Sequence, residues 1–136
     1  MGDQAEAIFE ETYGNNFVRW GLNRPPLQMH KLSTTVRYSP DYLTSDGFVE
    51  VKGCGRDGQI KLKLENWNAL EFWSAVMPVR LFVWDSHKKR HCIVGLGELA
   101  RVINDPSGNV KSDHFHDGKL FLKVPVASLE GWVDHG

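Results

Sequence analysis

Two carboxylates and a lysine stand at a spacing that could assemble a metal-dependent hydrolytic site. Asp41 follows Pro40, and eight residues separate it from the tripeptide Glu50-Val51-Lys52. Glu50 and Lys52 are two residues apart, so on a β-strand both side chains project from the same face. Paired carboxylates repel each other unless a cation bridges them, and hard oxygen ligands favour Mg²⁺ or Mn²⁺. A lysine beside them can polarise a water or stabilise charge on a phosphate, so the set predicts hydrolysis of phosphodiester bonds.

The surrounding sequence predicts that both parts of this motif lie on β-strands. Residues 35–38 alternate polar and apolar on the way to Asp41, and residues 47–53 alternate again. Residues 44–47, Thr-Ser-Asp-Gly, are typical of a turn. The two strands should therefore pair antiparallel and bring Asp41 near Glu50.

The remaining pattern predicts an α/β domain that positions these strands. Apolar residues at a spacing of four predict a first helix, and Pro78 ends a second one. The expected elements are a helix over 3–11, a strand over 17–20, a three-glycine turn over 53–58, a helix over 63–75, strands over 79–84 and 91–96 joined as a hairpin, a short helix over 98–102, a strand over 120–124 and a short tail element over 127–133. No internal repeat or linker divides the chain, so residues 1–136 are expected to form a single domain.

The motif in this setting resembles the PD-(D/E)XK nuclease superfamily. The matching residues are Ser39-Pro40-Asp41-Tyr42, then Gly47-Phe48-Val49-Glu50-Val51-Lys52-Gly53, followed by the helical segment. The resemblance covers roughly residues 3 to 85. It implies a mixed central β-sheet flanked by helices, the restriction-endonuclease-like αβββαβ core, and a Mg²⁺- or Mn²⁺-dependent DNA endonuclease. In that scheme Asp41, Glu50 and the backbone carbonyl of Val51 hold the metal, and Lys52 orients or activates the attacking water.

The same resemblance implies a glutamate on the first helix that reaches the metal. Glu10 is favoured because it follows Phe9, which should face the core. Glu6 and Glu11 are alternatives, and a solvated acidic helix face would explain all three without a role in the site.

Basic residues near the motif are candidates for contact with a nucleic-acid backbone. The stretch 52–63 holds four basic residues and one acid, and it includes Arg56, Lys61 and Lys63. Lys61 and Lys63 are expected at the start of the second helix, where cations oppose the helix dipole. Lys88, Lys89 and Arg90 form a second cluster on the tip of the predicted hairpin, where an exposed turn is an equally good explanation.

Other polar clusters favour structural roles. Asp113-His114-Phe115-His116-Asp117 has no partner motif for a metal and is interpreted as a polar loop. Cys54 and Cys92 lack metal or disulfide spacing and are expected to be buried. The tryptophans lie in apolar patterns and are expected in the core.

Composition limits the class of protein. With 136 residues, 41% of them hydrophobic and a net charge of −1, the chain fits a globular domain without a general basic character. No apolar run reaches the length of a membrane span, and residues 1–4 lack the start of a secretory signal. We therefore expect a cytoplasmic protein that does not bind membranes.

These observations favour a DNA endonuclease that is structure-directed or weakly sequence-specific, such as a resolvase-like or repair-type enzyme. A non-cleaving nucleic-acid-binding or assembly subunit that keeps the nuclease fold is the alternative. A small-ligand-binding α/β protein lacks a phosphate-loop or cofactor fingerprint. The sequence leaves open DNA against RNA, the form of the substrate and the oligomeric state, with a homodimer as one arrangement.

Overall fold

Two β-sheets and four α-helices organise the chain in a computed structural model, which describes residues 2–21 and 33–135. The helices are α1 (Gly2–Tyr13), α2 (Thr34–Arg37), α3 (Leu64–Trp73) and α4 (Leu96–Asn104). The strands are β1 (Val18–Arg19), β2 (Tyr42–Thr44), β3 (Gly47–Cys54), β4 (Gln59–Lys63), β5 (Val79–Asp85), β6 (Arg90–Gly95), β7 (Lys111–His114), β8 (Leu120–Pro125) and β9 (Val133–Asp134). Six strands form a mixed sheet in the order β1-β2-β3-β5-β6-β9, and three form a second sheet in the order β4-β8-β7.

The centre of the larger sheet is strand β3, which has a different kind of partner on each side. It pairs antiparallel with β2 through a tight turn and parallel with β5. The turn requires glycine at position 47, because its φ is +124° and a Cβ there would overlap the carbonyl oxygen of Pro78. The parallel pairing requires a crossover, which β4 and α3 provide.

Alternation along β3 directs its side chains into two separate cores. Val49 and Val51 pack with Phe9 of α1 in the smaller core. Phe48 and Cys54 belong to the larger core, which also receives side chains from β4, α3 and β8. Since strand residues alternate between faces, Glu50 and Lys52 lie on the side of the larger core. The helix α1 therefore covers the opposite face of the sheet.

Much of the sequence-based outline is confirmed. The first helix, the short strand after it, the β2–β3 turn, the β5–β6 hairpin, the helix α4 and the strand β8 all form as predicted. The buried state of Cys54 and Cys92 is also confirmed. Within residues 2–21 and 33–135, none of the helices combines the length and the apolar character needed to cross a bilayer.

The strand predicted over residues 35–38 is wrong, because this stretch belongs to helix α2. The Ser33 side chain accepts a hydrogen bond from the backbone N–H of Val36, and the carbonyl of Ser33 accepts one from Arg37. An N-cap serine stabilises this helical turn, which an alternation of four residues is too short to exclude. The strand that follows begins only at Tyr42.

The position predicted for Lys61 is also wrong, since it lies within a strand, whereas Lys63 both ends that strand and is the N-cap residue of α3. Residues Gln59–Lys63 form β4, which pairs antiparallel with β8, and α3 begins at Leu64. Part of the loop predicted over residues 113–117 is likewise a strand, because Lys111–His114 forms β7.

Candidate active site

Asp41 is held rigidly just before β2. Its backbone carbonyl accepts hydrogen bonds from the N–H groups of Trp20 at 2.9 Å and Gly21 at 3.3 Å. Its carboxylate oxygen Oδ2 accepts the backbone N–H of Val51 at 2.9 Å. These contacts hold the Asp41 side chain against β3, just past the last paired residues of β2 and β3. The second carboxylate oxygen, Oδ1, takes no part in them.

Glu50 is a buried carboxylate in the middle of the sheet, with only 5% of its surface exposed. Its Oε2 atom accepts a hydrogen bond from Asn66 Nδ2 at 3.2 Å and lies 3.5 Å from the ammonium nitrogen of Lys52. Its Oε1 atom is buried and makes no hydrogen bond to any described residue. A buried acceptor without a partner is unfavourable, so this atom is suited to a ligand.

The electrostatics of this pair favour a proton or a cation between the two acids. Burial, and after it the neighbouring charge of Asp41, raise the pKa of Glu50 to about 8. The ammonium group of Lys52 and the amide of Asn66 oppose the rise. In the metal-free protein, a protonated Glu50 can donate its hydrogen to Asp41. A divalent cation would replace that proton and remove the repulsion between the carboxylates.

A cavity of about 250 Å³ opens onto these groups. Its walls contain two acids, three lysines, two other polar residues and two aromatic residues: Asp41, Glu50, Lys52, Lys61, Lys63, Ser39, Asn66, Tyr38 and Phe115. A larger groove of about 480 Å³ between α3 and α4 holds Glu71 and Arg80 but no pair of carboxylates. The smaller cavity is therefore the candidate active site.

The structure brings the three charged side chains of the motif together with two of the predicted contact lysines. Asp41, Glu50, Lys52, Lys61 and Lys63 all line the cavity. The sequence did not identify Tyr38, Ser39, Asn66 and Phe115 as part of it. The sequence did contain a hint of the role of Asn66, because this polar residue lies between the apolar positions of α3. In the structure it is only 3% exposed.

The donor set suits a hard divalent cation held by few protein ligands. Among the described residues, no three His, Cys, Asp or Glu side chains come close enough to hold a metal by themselves. Mg²⁺ commonly uses one or two carboxylates and completes its shell with water and phosphate oxygens. Asp41 and Glu50 provide the carboxylates. The N–H and C=O groups of one strand residue point to the same edge, so the carbonyl of Val51 points toward Asp41 and can add a third oxygen.

Glu10 is not brought to the cavity. Its Oε2 atom accepts hydrogen bonds from the hydroxyl of Tyr42 and the guanidinium of Arg19. Burial and this bond to Glu10 raise the pKa of Tyr42. Because α1 covers the face of β3 opposite Glu50, a direct role for Glu10, Glu6 or Glu11 in the cavity has no support from this geometry.

The other predicted contact residues lie outside the cavity. Arg56 is exposed in the turn between β3 and β4. Lys88 and Lys89 are exposed at the tip of the β5–β6 hairpin. Arg90 is engaged within the protein, since its Nε atom lies 3.0 Å from Asp85 and its guanidinium lies 4.1 Å from the ring centre of Trp132.

No family model, curated protein or solved structure gives a significant match to this chain.

Proposed function

We propose that this protein is a Mg²⁺- or Mn²⁺-dependent endonuclease that hydrolyses DNA phosphodiester bonds, with the restriction-endonuclease-like core of the PD-(D/E)XK superfamily. The observation that carries the proposal is the buried carboxylate of Glu50 beside Asp41, with Lys52 at 3.5 Å and with one oxygen that receives no hydrogen bond from a donor group of the described residues. A buried carboxylate beside a second acid is destabilising by itself, and such groups occur preferentially at functional sites.

The arrangement of elements around the pair supports this fold assignment. The hairpin of β2 and β3, the crossover through α3 and the parallel strand β5 follow the order of that core. The chain departs from the pattern at Glu10, which is bound to Tyr42 and Arg19. The proposal therefore does not include a carboxylate from the first helix.

The groups around the two carboxylates have defined tasks in the proposed reaction. Asp41 and Glu50, with the carbonyl of Val51, would hold the cation. Asn66 fixes the orientation of the Glu50 carboxylate through its amide. When bound, the divalent cation would neutralise phosphate charge and increase the acidity of a bound water.

Lys52 acts on the charge that develops during hydrolysis. Its ammonium group lines the cavity and can donate to the attacking water or to a phosphate oxygen. Negative charge on the phosphate oxygens increases toward the transition state, so this interaction strengthens there and accelerates the reaction. Lys61 and Lys63 at the cavity wall would attract and position the substrate backbone.

A cleavage panel tests the proposal. The purified protein is incubated with linear duplex, single-stranded, flap and four-way-junction DNA in Mg²⁺, in Mn²⁺ and in EDTA. Cleavage in either metal, with none in EDTA and none by Asp41→Asn protein prepared in parallel, is expected. If wild-type protein binds DNA but leaves every substrate uncut in both metals, the non-cleaving binding subunit becomes the better account.

A further inference from the structure

A row of three lysines crosses the smaller sheet on its outer face. Lys123 of β8 is directly opposite Lys61 of β4 on one side and Lys111 of β7 on the other. Paired residues on neighbouring strands share a face, and Ile60 and Leu62 occupy the opposite, buried face of β4. Adjacent strands lie about 4.8 Å apart, so the row extends over about 10 Å.

This arrangement is unfavourable for the fold taken alone. Like charges directly opposite each other destabilise a sheet. Of the three lysines, only Lys123 has a carboxylate partner among the described residues, since its ammonium nitrogen lies 3.4 Å from Asp113. Lys61 and Lys111 form no ion pair with any described residue. A polyanion lying across the face would remove the repulsion, and a nucleic-acid backbone is such a polyanion.

Aromatic side chains connect the lysine row to the cavity. The ring of Phe115 packs against that of Phe121 in a tilted arrangement, with their centres 4.2 Å apart, and Lys61 lies over Phe121. The ammonium nitrogen of Lys63 is 5.5 Å from the ring centre of Phe115 and 5.9 Å from that of Tyr38. Phe115 and Tyr38 also line the cavity, so both rings stand beside the proposed scissile position.

We propose that the outer face of the β4-β8-β7 sheet binds a single DNA strand and leads it into the cavity. This inference rests on the proposed function, and it identifies the substrate as single-stranded DNA or a strand that has separated from a branched duplex. A basic track combined with aromatic rings is the usual means of binding single strands, because unpaired bases can stack on the rings. The bases of an intact duplex are stacked inside the helix and cannot use Phe115 in this way.

The burial of Glu50 favours the same substrate. Glu50 is 5% exposed, and the cavity that reaches it holds only about 250 Å³ between Tyr38 and Phe115. A separated strand can turn one phosphodiester into this space, whereas a duplex would have to bring its second strand against the cavity walls. Lys111, Lys123 and Phe115 thus have a role that the motif of Asp41, Glu50 and Lys52 does not assign to them.

Binding measured without cleavage tests this inference separately from the proposed function. Fluorescence anisotropy in Ca²⁺ compares a labelled single strand with a blunt duplex of the same length over a range of salt concentrations. We expect the single strand to bind more tightly. Lys111→Ala should weaken its binding and reduce the slope of log K against log salt by about 0.7, and the Lys111→Ala/Lys123→Ala double variant by about 1.4. Arg101→Ala, which removes an exposed charge from α4, should leave both values unchanged.

Two further variants separate a binding role from a structural one. Phe115→Ala should weaken single-strand binding by about fivefold or more, and Phe115→Tyr should restore it because the ring remains. Lys111→Ala should melt at the same temperature as the wild type or higher, because it relieves repulsion in the row.

The inference is overturned if the duplex binds as tightly as the single strand, or if Lys111→Ala behaves like Arg101→Ala. Cleavage by the same proteins distinguishes the two proposals. Tight single-strand binding without cleavage would refute the proposed function and support the strand-binding face. Cleavage that is insensitive to Lys111, Lys123 and Phe115 would support the proposed function and refute the strand-binding face.

Discussion

Replacement of Glu50 by glutamine should stabilise the metal-free protein, and the gain should depend on pH. The folded protein keeps the proton of Glu50 up to about pH 8, whereas the unfolded chain releases it near the ordinary value of 4.5. Between these limits the folded state binds more protons than the unfolded state, so the free energy of unfolding falls as pH rises. Glutamine is neutral at every pH and removes this dependence.

The size of the effect follows from the shift in pKa. At pH 7 Glu50 is ionised in the unfolded chain but not in the folded protein, which is expected to lower the free energy of unfolding of the wild type by about 3 kcal/mol relative to acid pH, since each pKa unit corresponds to about 1.4 kcal/mol. The attraction of Lys52 is already contained in this pKa, because it opposes the rise. Glutamine can still accept from Asn66 and donate to Asp41, as the protonated acid does. The variant and the wild type should therefore be nearly equal in stability at about pH 4.

Urea denaturation in EDTA at a series of pH values measures this difference. Glu11→Gln is the matched control, because it makes the same covalent change at a glutamate that is exposed on α1. The control should follow the wild type at every pH. A Glu50→Gln protein that is less stable than the wild type at pH 7, or a difference that stays constant from acid to neutral pH, would refute the reasoning and indicate a structural role for the Glu50–Lys52 pair.

Three other perturbations have defined outcomes. Mg²⁺ should raise the melting temperature of the wild type, by the equivalent of about 2.7 kcal/mol of stability when its concentration is about 100 times the dissociation constant. The melting temperature of Asp41→Asn should not change. Differential scanning fluorimetry measures both temperatures, and an equal rise in the variant would exclude Asp41 as a ligand. Asn66→Ala should destabilise the metal-free protein by about 2 kcal/mol in urea denaturation at neutral pH, because it removes the hydrogen bond to Glu50, whereas an unchanged stability would mean that this bond contributes little. Combined alanine replacement of Arg56, Lys61 and Lys63 should weaken DNA binding and flatten its salt dependence more than combined replacement of Lys88 and Lys89. Anisotropy titrations measure both effects, and equal effects would assign the hairpin tip to the interface as well.

The cluster around Glu50 could be predicted from sequence because only local rules determine it. The period of two along β3 places Glu50 and Lys52 on one face, and the short turn at Gly47 places the preceding segment alongside. Neither rule depends on the rest of the fold. The same reasoning failed for residues 35–38, where a capping hydrogen bond from the N–H of Val36 to the Ser33 side chain outweighed a short alternation.

The parts that depend on tertiary packing could not be predicted in the same way. Periodicity showed which side of α1 is apolar, but it did not show which face of the sheet α1 covers, and Glu10 consequently lies away from the cavity. Residues Gln59–Lys63 of β4 alternate between polar and apolar, which is typical of a strand. The apolar residues that follow them nevertheless led to a predicted helix that includes the last residue of this strand. Phe115 reaches the cavity through the pairing of β7 with β8, which sequence spacing does not reveal.

The rate of a single turnover by Lys52→Ala protein tests the account most directly. Enzyme in excess is bound to labelled DNA in Ca²⁺, and the reaction is started with Mg²⁺. Ca²⁺ is larger and less strict in geometry, so it should permit binding with little chemistry. We predict that the wild type cleaves, that EDTA prevents cleavage, and that Lys52→Ala binds DNA with similar affinity but loses the cleavage step, because Lys52 acts mainly in the transition state. Cleavage at the wild-type rate by Lys52→Ala, or full activity in EDTA, would contradict the account.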